Sequence, residues 1–318
     1  MEKYITIVFK YSFYRINRAA VLKYLKRNLK RQIFILLILT IVNIPGIRCS
    51  NVIKDSSEPE LITPLGRKCY SLPGVDSALY SLYVGETLDR QSSNILYNEG
   101  LLYAQFWRYH DAVECFTKCI EKKSNVPLYW RMRGHRYISL RMFEKAVNDL
   151  KKAAELILPG KDKDLEWNIF YHLGLAYYLS RDFEKALKTY NKCLNISETD
   201  DTMVAAANWV YNTLIRLRRL DEAEQILYRI KTGLKVKDNV TYYNSMFFHQ
   251  GKMTEESLLN TASNSLDSLT VSYSIGIKRL AEGGTAGAQK IFEKIVEGFY
   301  WPAFGFIAAE THLVHVRK

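Results

Sequence analysis

Apolar side chains recur at helical spacing in two neighbouring segments near the middle of the chain. In residues 170–179 and again in 183–193 they return every three or four positions, as on one face of an amphipathic helix. The polar tripeptide Ser180-Arg181-Asp182 separates the two patterns. Gly174 and Ala186 put small residues where we expect the helices to cross, because interhelical distance follows the side chains at the contact. The pattern predicts a helical hairpin, which needs similar hairpins on both sides to bury its apolar face.

The landmarks of this hairpin return earlier in the chain. Gly100 and Gly134 are 34 residues apart, and Gly134 and Gly174 are 40 apart, the extra six fitting the loop at 158–164. The other aligned positions are Tyr103, Tyr137 and Tyr177, then Tyr109, Phe143 and Phe183, then Ala112, Ala146 and Ala186. A helix-turn-helix period of 34 residues with these landmarks resembles the tetratricopeptide repeat family. The resemblance implies an all-α fold, a solenoid of helix-turn-helix repeats with terminal capping helices.

The resemblance covers residues 94–298 and divides them into about six repeats, of which the first three are clear. In the fourth copy Tyr211 replaces the glycine at the helix crossing, and in the fifth Glu256 replaces the small residue. Gly276 restores the glycine in the sixth. We predict an N-terminal capping helix at 75–93 and a C-terminal one at 299–318. The polar residues of the second cap are Glu310, His312, Arg317 and Lys318.

Basic and apolar residues are unevenly distributed at the N-terminal end. Residues 1–49 hold ten basic and one acidic side chain, whereas the rest of the chain holds 35 and 32, so the net charge of +12 does not indicate nucleic-acid binding. The apolar run at 33–44 is shorter than the ~20 residues of a membrane span and suits a signal peptide. Residues 1–49 are therefore predicted to be a signal peptide or a signal anchor, and 50–74 a linker. A true start near Val21 would give a basic segment of ordinary length.

Cys49 directly follows the apolar run and resembles the lipid-attachment cysteine of bacterial lipoproteins. That cysteine is normally preceded by a small residue, whereas this chain has Arg48. Lipidation of Cys49, plain cleavage and an uncleaved anchor stay open as alternatives. All three predict an exported bacterial protein with its repeats outside the cytoplasm. Lipidation or an uncleaved anchor would hold it at the membrane through the N-terminal segment, and plain cleavage would leave it in the periplasm.

Motifs of catalysis and of nucleotide binding are absent from the sequence. There is no glycine-rich phosphate loop, no Gly-x-Ser-x-Gly and no His-Glu-x-x-His. Cys115 and Cys119 are four residues apart on one helix, and core packing explains them better than a metal site does. His312 and His315 fit a solvated cap. We therefore predict no catalytic residue, metal, cofactor or small-molecule substrate.

The resemblance also implies a binding surface. In tetratricopeptide arrays the first helix of each repeat lines a concave groove that takes a segment of another protein. The family positions fall here on Tyr97, Leu101, Arg131, His135, Tyr171, Leu175, Tyr178, Asn208 and Asn212. This lining is aromatic and aliphatic with few charges. Tyr97 and Leu101 replace the lysine and asparagine with which chaperone-tail binders of the family hold a terminal carboxylate.

The predicted function is therefore a non-catalytic scaffold or adaptor that binds a protein or peptide partner in the groove. Three alternatives stay open. In the first, some groove side chains only pack between hairpins and contact no partner. In the second, the chain is an accessory or catalytic domain of an envelope enzyme. In the third, it self-assembles through stacked solenoid ends.

Overall fold

The computed structural model describes residues 58–76 and 92–317, and helices dominate this part of the chain. The described helices are α1 (Ser93–Gln105), α2 (Tyr109–Lys122), α3 (Pro127–Ser139), α4 (Phe143–Leu156), α5 (Lys163–Leu179), α6 (Phe183–Asn195), α7 (Asp200–Arg216), α8 (Leu220–Arg229), α9 (Val240–His249), α10 (Glu255–Leu259), α11 (Ser265–Ala281), α12 (Thr285–Glu297) and α13 (Phe304–Val316). Strands β1 (Leu61–Ile62) and β2 (Lys68–Cys69) form a short antiparallel ladder. None of these helices is long and apolar enough to span a bilayer.

Consecutive helices pair into six hairpins, α1–α2 through α11–α12, and α13 follows as a single helix. The chain is thus an all-α solenoid of helical repeats, as predicted. The predicted signal segment 1–49 and Cys49 lie outside the described residues, as does most of the predicted capping helix at 75–93.

The turn inside each hairpin contains one residue in the left-handed backbone region. In the first four hairpins it is not glycine but Trp107, Arg141, Arg181 and Arg218, with φ between 60° and 68°. Gly251 and Gly283 take the position in the last two. A left-handed residue reverses the chain within three residues, and only glycine adopts it without steric cost. The first four hairpins therefore accept backbone strain to keep a large side chain at the turn.

The prediction that glycine marks the helix crossing is confirmed. A Cβ atom added to Gly100, Gly134 or Gly174 would come within 2.7–2.9 Å of a side chain on the second helix of the hairpin, and one on Gly276 within 2.3 Å of Phe292. The side chain nearest to Gly174 is that of Tyr190, not Ala186 as predicted. Real Cβ contacts are not this short, so only glycine permits these helix distances.

The late helices return over the inner side of the early ones. Helix α13 packs on α5 and α11, and α11 packs on α7. As a result, all residues from 204 to 215 on α7 are buried, and so are residues 165–178 on α5 except Tyr177. The turn of the first hairpin also meets the segment before α13, where the Trp107 ring lies 5.0–5.9 Å from those of Phe299, Tyr300 and Trp301.

Two predictions about the ends of the array need correction. Residues 58–74, predicted as linker, fold onto the repeats: Thr63 and Cys69 are buried, and the backbone carbonyl of Tyr70 accepts a hydrogen bond from Trp301 Nε1 at 3.0 Å. The prolines, glycines and charged residues of this segment led to the linker prediction, although a few of its side chains pack on the repeats. The C-terminal helix does not turn Glu310 and His312 to solvent either, because they are 1% and 6% exposed.

Candidate functional site

The nine predicted groove residues all lie on the first helices of the first four hairpins. Helix α1 carries Tyr97 and Leu101, α3 carries Arg131 and His135, α5 carries Tyr171, Leu175 and Tyr178, and α7 carries Asn208 and Asn212. These helices contact one another in order, α3 with α5 and α5 with α7. The local repeat pattern is what aligns them, because each hairpin presents its first helix on the same side.

Burial divides the nine residues into two groups. The five on α5 and α7 are buried, with Leu175 at 0% exposure. The two tyrosines have partners inside the chain: the Tyr171 hydroxyl accepts from Trp209 Nε1 at 2.8 Å, and the Tyr178 and Tyr273 hydroxyls are 2.7 Å apart. Within the described residues, Oδ1 of Asn212 is buried without a hydrogen-bond partner. These five positions are therefore not open to a partner in this conformation, since α13 packs on α5 and both α9 and α11 pack on α7.

The α1 and α3 positions keep partial exposure. Tyr97, Leu101 and His135 are half-buried, whereas Arg131 is 5% exposed. The Tyr97 ring lies 6.0 Å from that of Tyr129 on α3. We call these three half-buried residues the open end of the concave surface.

Two histidines meet where the open end borders the covered part. The rings of His135 and His172 are 4.3 Å apart, and Phe304 at the start of α13 lies 5.5 Å from His135. Burial and the neighbouring arginines hold the pKa of both imidazoles well below the ordinary value. Both rings are therefore neutral at physiological pH and act as flat, partly polar packing groups.

Positive charge accompanies these rings. Arg136 donates a hydrogen bond to His135 Nδ1 at 2.5 Å, and Arg131 donates one to Asn168 Oδ1 at 3.0 Å. Burial lowers the pKa of Arg136 to about 10, which leaves it charged. Sequence reasoning missed Arg136, because the family assigns one position per turn of each first helix to the groove, and on this turn of α3 that position is His135.

A buried ion pair joins the second hairpin to the last helix. Arg141, in the α3–α4 turn, donates to Glu310 on α13 at 2.8 Å, and both side chains are almost fully buried. Arg141 also donates to the carbonyl oxygens of Ser139 and Trp301. No sequence signal links residues 169 positions apart, so this contact was not predicted.

The described part of the chain offers little for covalent or metal chemistry. Nowhere in it do three or more His, Cys, Asp or Glu side chains lie close enough together to hold a metal ion. Burial raises the pKa of Cys115 to about 12 and that of Cys119 to about 11. These thiols are thus protonated at neutral pH and are poor nucleophiles. They pack in the core, together with Cys193.

Comparison with known proteins finds the same repeat in two places. Residues 93–124 and residues 167–200 each match a family model described as tetratricopeptide repeat. Tetratricopeptide repeat protein 29 of Macaca fascicularis is 31% identical over 75 residues, which is 23% of this chain. The match spans only 16% of that relative's length.

Solved repeat structures are also similar to this chain. A tetratricopeptide repeat protein from Parabacteroides merdae is 18% identical, with a TM-score of 0.47, and the match covers 75% of this chain and 92% of that protein. PilF of Pseudomonas aeruginosa is 15% identical, with a TM-score of 0.43, and the match covers 77% of this chain and 90% of PilF. The two segments matched by family models fall on α1–α2 and α5–α6, hairpins whose helices cross at Gly100 and Gly174. The chain therefore contains tetratricopeptide repeats in at least these two hairpins.

Proposed function

We propose that this chain is a non-catalytic scaffold and that a segment of its partner binds at the open end of the concave surface. Tetratricopeptide repeats indicate a protein–protein interaction scaffold. The observation that carries the proposal is the partial exposure of Tyr97, Leu101 and His135, while the matching positions on α5 and α7 are buried.

The chemistry of the open end suits a short apolar segment. Tyr97 offers a broad ring face with a hydroxyl at its edge, Leu101 an aliphatic surface and His135 a neutral ring. Interface energy concentrates in a few such residues, often aromatic or arginine. Tyrosine adds contact area at low entropic cost, since it has only two side-chain torsions to fix.

Titration of the recovered partner against point variants tests this proposal. Leu101→Ala and Tyr97→Ala should each weaken binding by ~1–2 kcal/mol, the range of interface anchors, with an unchanged helical signal. Lys188→Ala is the control, because Lys188 is exposed on α6, a second helix. If Lys188→Ala weakens binding and the other two do not, the partner binds the convex face and this site assignment fails.

We also propose that residues 1–49 export the chain and tether it to a membrane. The support is the sequence: the basic flank, the apolar run at 33–44 and Cys49. Fatty-acid labelling of Cys49→Ser beside the wild type separates the kinds of tether. Loss of label with the substitution supports lipidation. No label on either protein, with retention in the membrane fraction, supports an anchor. Recovery of the whole chain in the soluble cytoplasmic fraction would contradict export.

A further inference from the structure

Two arginines and a histidine meet near the turn of the third hairpin. Arg181 occupies the left-handed position of the α5–α6 turn, and Arg216 ends α7. Their guanidinium carbons lie 5.3 Å and 5.0 Å from the centre of the Phe183 ring. Arg216 Nη1 is 2.9 Å from Nδ1 of His312 on α13. Three elements that are far apart in sequence thus converge here.

The hydrogen bond from Arg216 decides the tautomer of His312. A guanidinium has donors and no acceptor, so Nδ1 of His312 must accept. A neutral imidazole has one acceptor and one donor, which places the proton on Nε2. Burial and the two arginines lower the His312 pKa to about 4, in accord with a neutral ring. His312 is therefore an N–H donor pointing away from Arg216.

Donors outnumber acceptors in this cluster. Within the described residues, His312 Nε2 and Arg181 Nη1 are buried and have no hydrogen-bond partner. The His312 side chain as a whole is only 6% exposed. Leaving a buried donor unpaired costs free energy, so a native structure normally supplies an acceptor. Among the described residues, no acceptor lies within hydrogen-bond distance of these two N–H groups.

Positive charge in the cluster is likewise not balanced. Neither Arg181 nor Arg216 forms an ion pair with a described carboxylate. Burial and the neighbouring Arg216 charge both lower the pKa of Arg181. The other groups that act on this pair are the hydroxyls of Tyr178 and Tyr273. Arg141 occupies the same turn position one repeat earlier, and there Glu310 supplies the carboxylate.

We propose that Arg181, Arg216 and His312 bind an oxyanion, the carboxylate or phosphate group of a ligand. An oxyanion would accept from Nη1 of Arg181 and Nε2 of His312 and would offset the two charges. Both arginines are half-buried, so solvent reaches them. Charge-assisted hydrogen bonds from arginine to carboxylate or phosphate are the strong ones in proteins. This site is separate from Tyr97, Leu101 and His135 and goes beyond the proposed function.

Thermal unfolding of the purified full chain tests the proposal at pH 7. Sodium phosphate or sodium acetate is added and compared with sodium chloride at the same ionic strength. One of the two oxyanions should raise the melting temperature in a saturable way, by about 5 °C or more at a hundredfold excess over Kd. A response to phosphate alone indicates phosphate or a phosphorylated group as the source. A response to acetate indicates a carboxylate.

Matched variants connect the response to the site. Arg181→Gln and Arg216→Gln should each abolish the oxyanion-specific rise. Arg218→Gln should keep it, because Arg218 holds the same turn position in the next hairpin but is exposed and donates to the Leu280 carbonyl. The proposal fails if neither oxyanion exceeds chloride. It also fails if Arg181→Gln and Arg216→Gln both retain the rise.

A second readout does not depend on melting. The Nε2 proton of His312 should be visible in nitrogen-edited NMR spectra and should shift as the active oxyanion is added to the wild type. With Arg218→Gln the shift should persist, and with Arg216→Gln it should disappear. An unchanged His312 signal beside an oxyanion-specific rise in melting temperature would place the anion elsewhere and overturn the assignment.

Discussion

Helices α1 and α5 begin equivalent repeats, yet their inner faces have opposite surroundings. Both cross their partner helix at a glycine, and both carry a tyrosine at the first groove position, Tyr97 and Tyr171. Tyr97 is half-buried, whereas Tyr171 is buried and accepts a hydrogen bond from Trp209. The difference arises outside the repeat itself, because α7 and α13 pack on α5, and Tyr171 interacts with Trp209 on α7 and Tyr242 on α9. Equivalent positions in a repeat array therefore need not share a function.

The comparison predicts its largest effect at the two tyrosines. Tyr171→Ala should destabilise the fold by ~3–5 kcal/mol, as truncation of a large core aromatic does. Tyr97→Ala should cost clearly less, because its ring is partly solvated already. Urea unfolding followed by circular dichroism measures both. Equal losses would mean that the open end is as much a part of the core as α5, and the division of the concave surface would be withdrawn.

The next effect concerns the ion pair that holds the covering helix. Glu310→Ala leaves the buried Arg141 charge without its carboxylate, and breaking such a pair costs ~3–5 kcal/mol. We expect the lower end, about 3 kcal/mol, because Arg141 still donates to two carbonyl oxygens. The double variant Arg141→Met, Glu310→Leu is the control and should recover much of the loss. A loss under 1 kcal/mol in Glu310→Ala would show that the pair is not sequestered from water.

Two glycines of the sixth hairpin sharpen the account of the covering helices. Gly276→Ala puts a methyl group against Phe292 and should cost ~1–3 kcal/mol through overpacking. Gly287→Ala, whose new methyl group would meet Arg279 at 3.8 Å, should be neutral or stabilise by up to ~1 kcal/mol. Chemical denaturation gives both values. If Gly276→Ala is neutral, α11 does not approach α12 this closely.

The remaining effect is a pH dependence carried by histidines at the covered side. Burial lowers the pKa of His249, on α9, to about 3, and that of His312 to about 4. Both values lie below the ~6.5 of an unfolded chain, so the unfolded state binds more protons between them. Stability is thus fully present above pH 6.5 and falls by ~1.4 kcal/mol per unit and histidine as the pH drops.

Unfolding free energies between pH 7 and pH 5 avoid the range in which most carboxylates titrate. In this window the unfolding free energy of His249→Gln should change less steeply with pH than that of the wild type. The difference in slope should correspond to about one proton fewer taken up on unfolding. His110→Gln on α2 is the control, because His110 is exposed. A wild-type slope of zero would mean that the histidines are solvated in the native state.

The local features of this fold could be read from the sequence because they depend on near neighbours. Apolar residues at i, i+3 and i+4 predicted the helices, and the period predicted six hairpins. The helix crossings were predicted by Gly100, Gly134, Gly174 and Gly276. Each of these rests on contacts within one hairpin of about 34 residues. The first-helix positions also emerged correctly, since every hairpin presents the same side.

What the concave surface can contact was decided only by the tertiary structure. Arg216 meets His312 across 96 residues, and Arg141 meets Glu310 across 169. Small rotations between successive repeats add up to the curvature that brings α13 onto α5, and no short-range pattern encodes that sum. One signal was present: α13 is apolar almost all round, and such a helix is buried on every side. Two of its polar residues, Glu310 and His312, lie on the buried part of the helix and meet arginines rather than water.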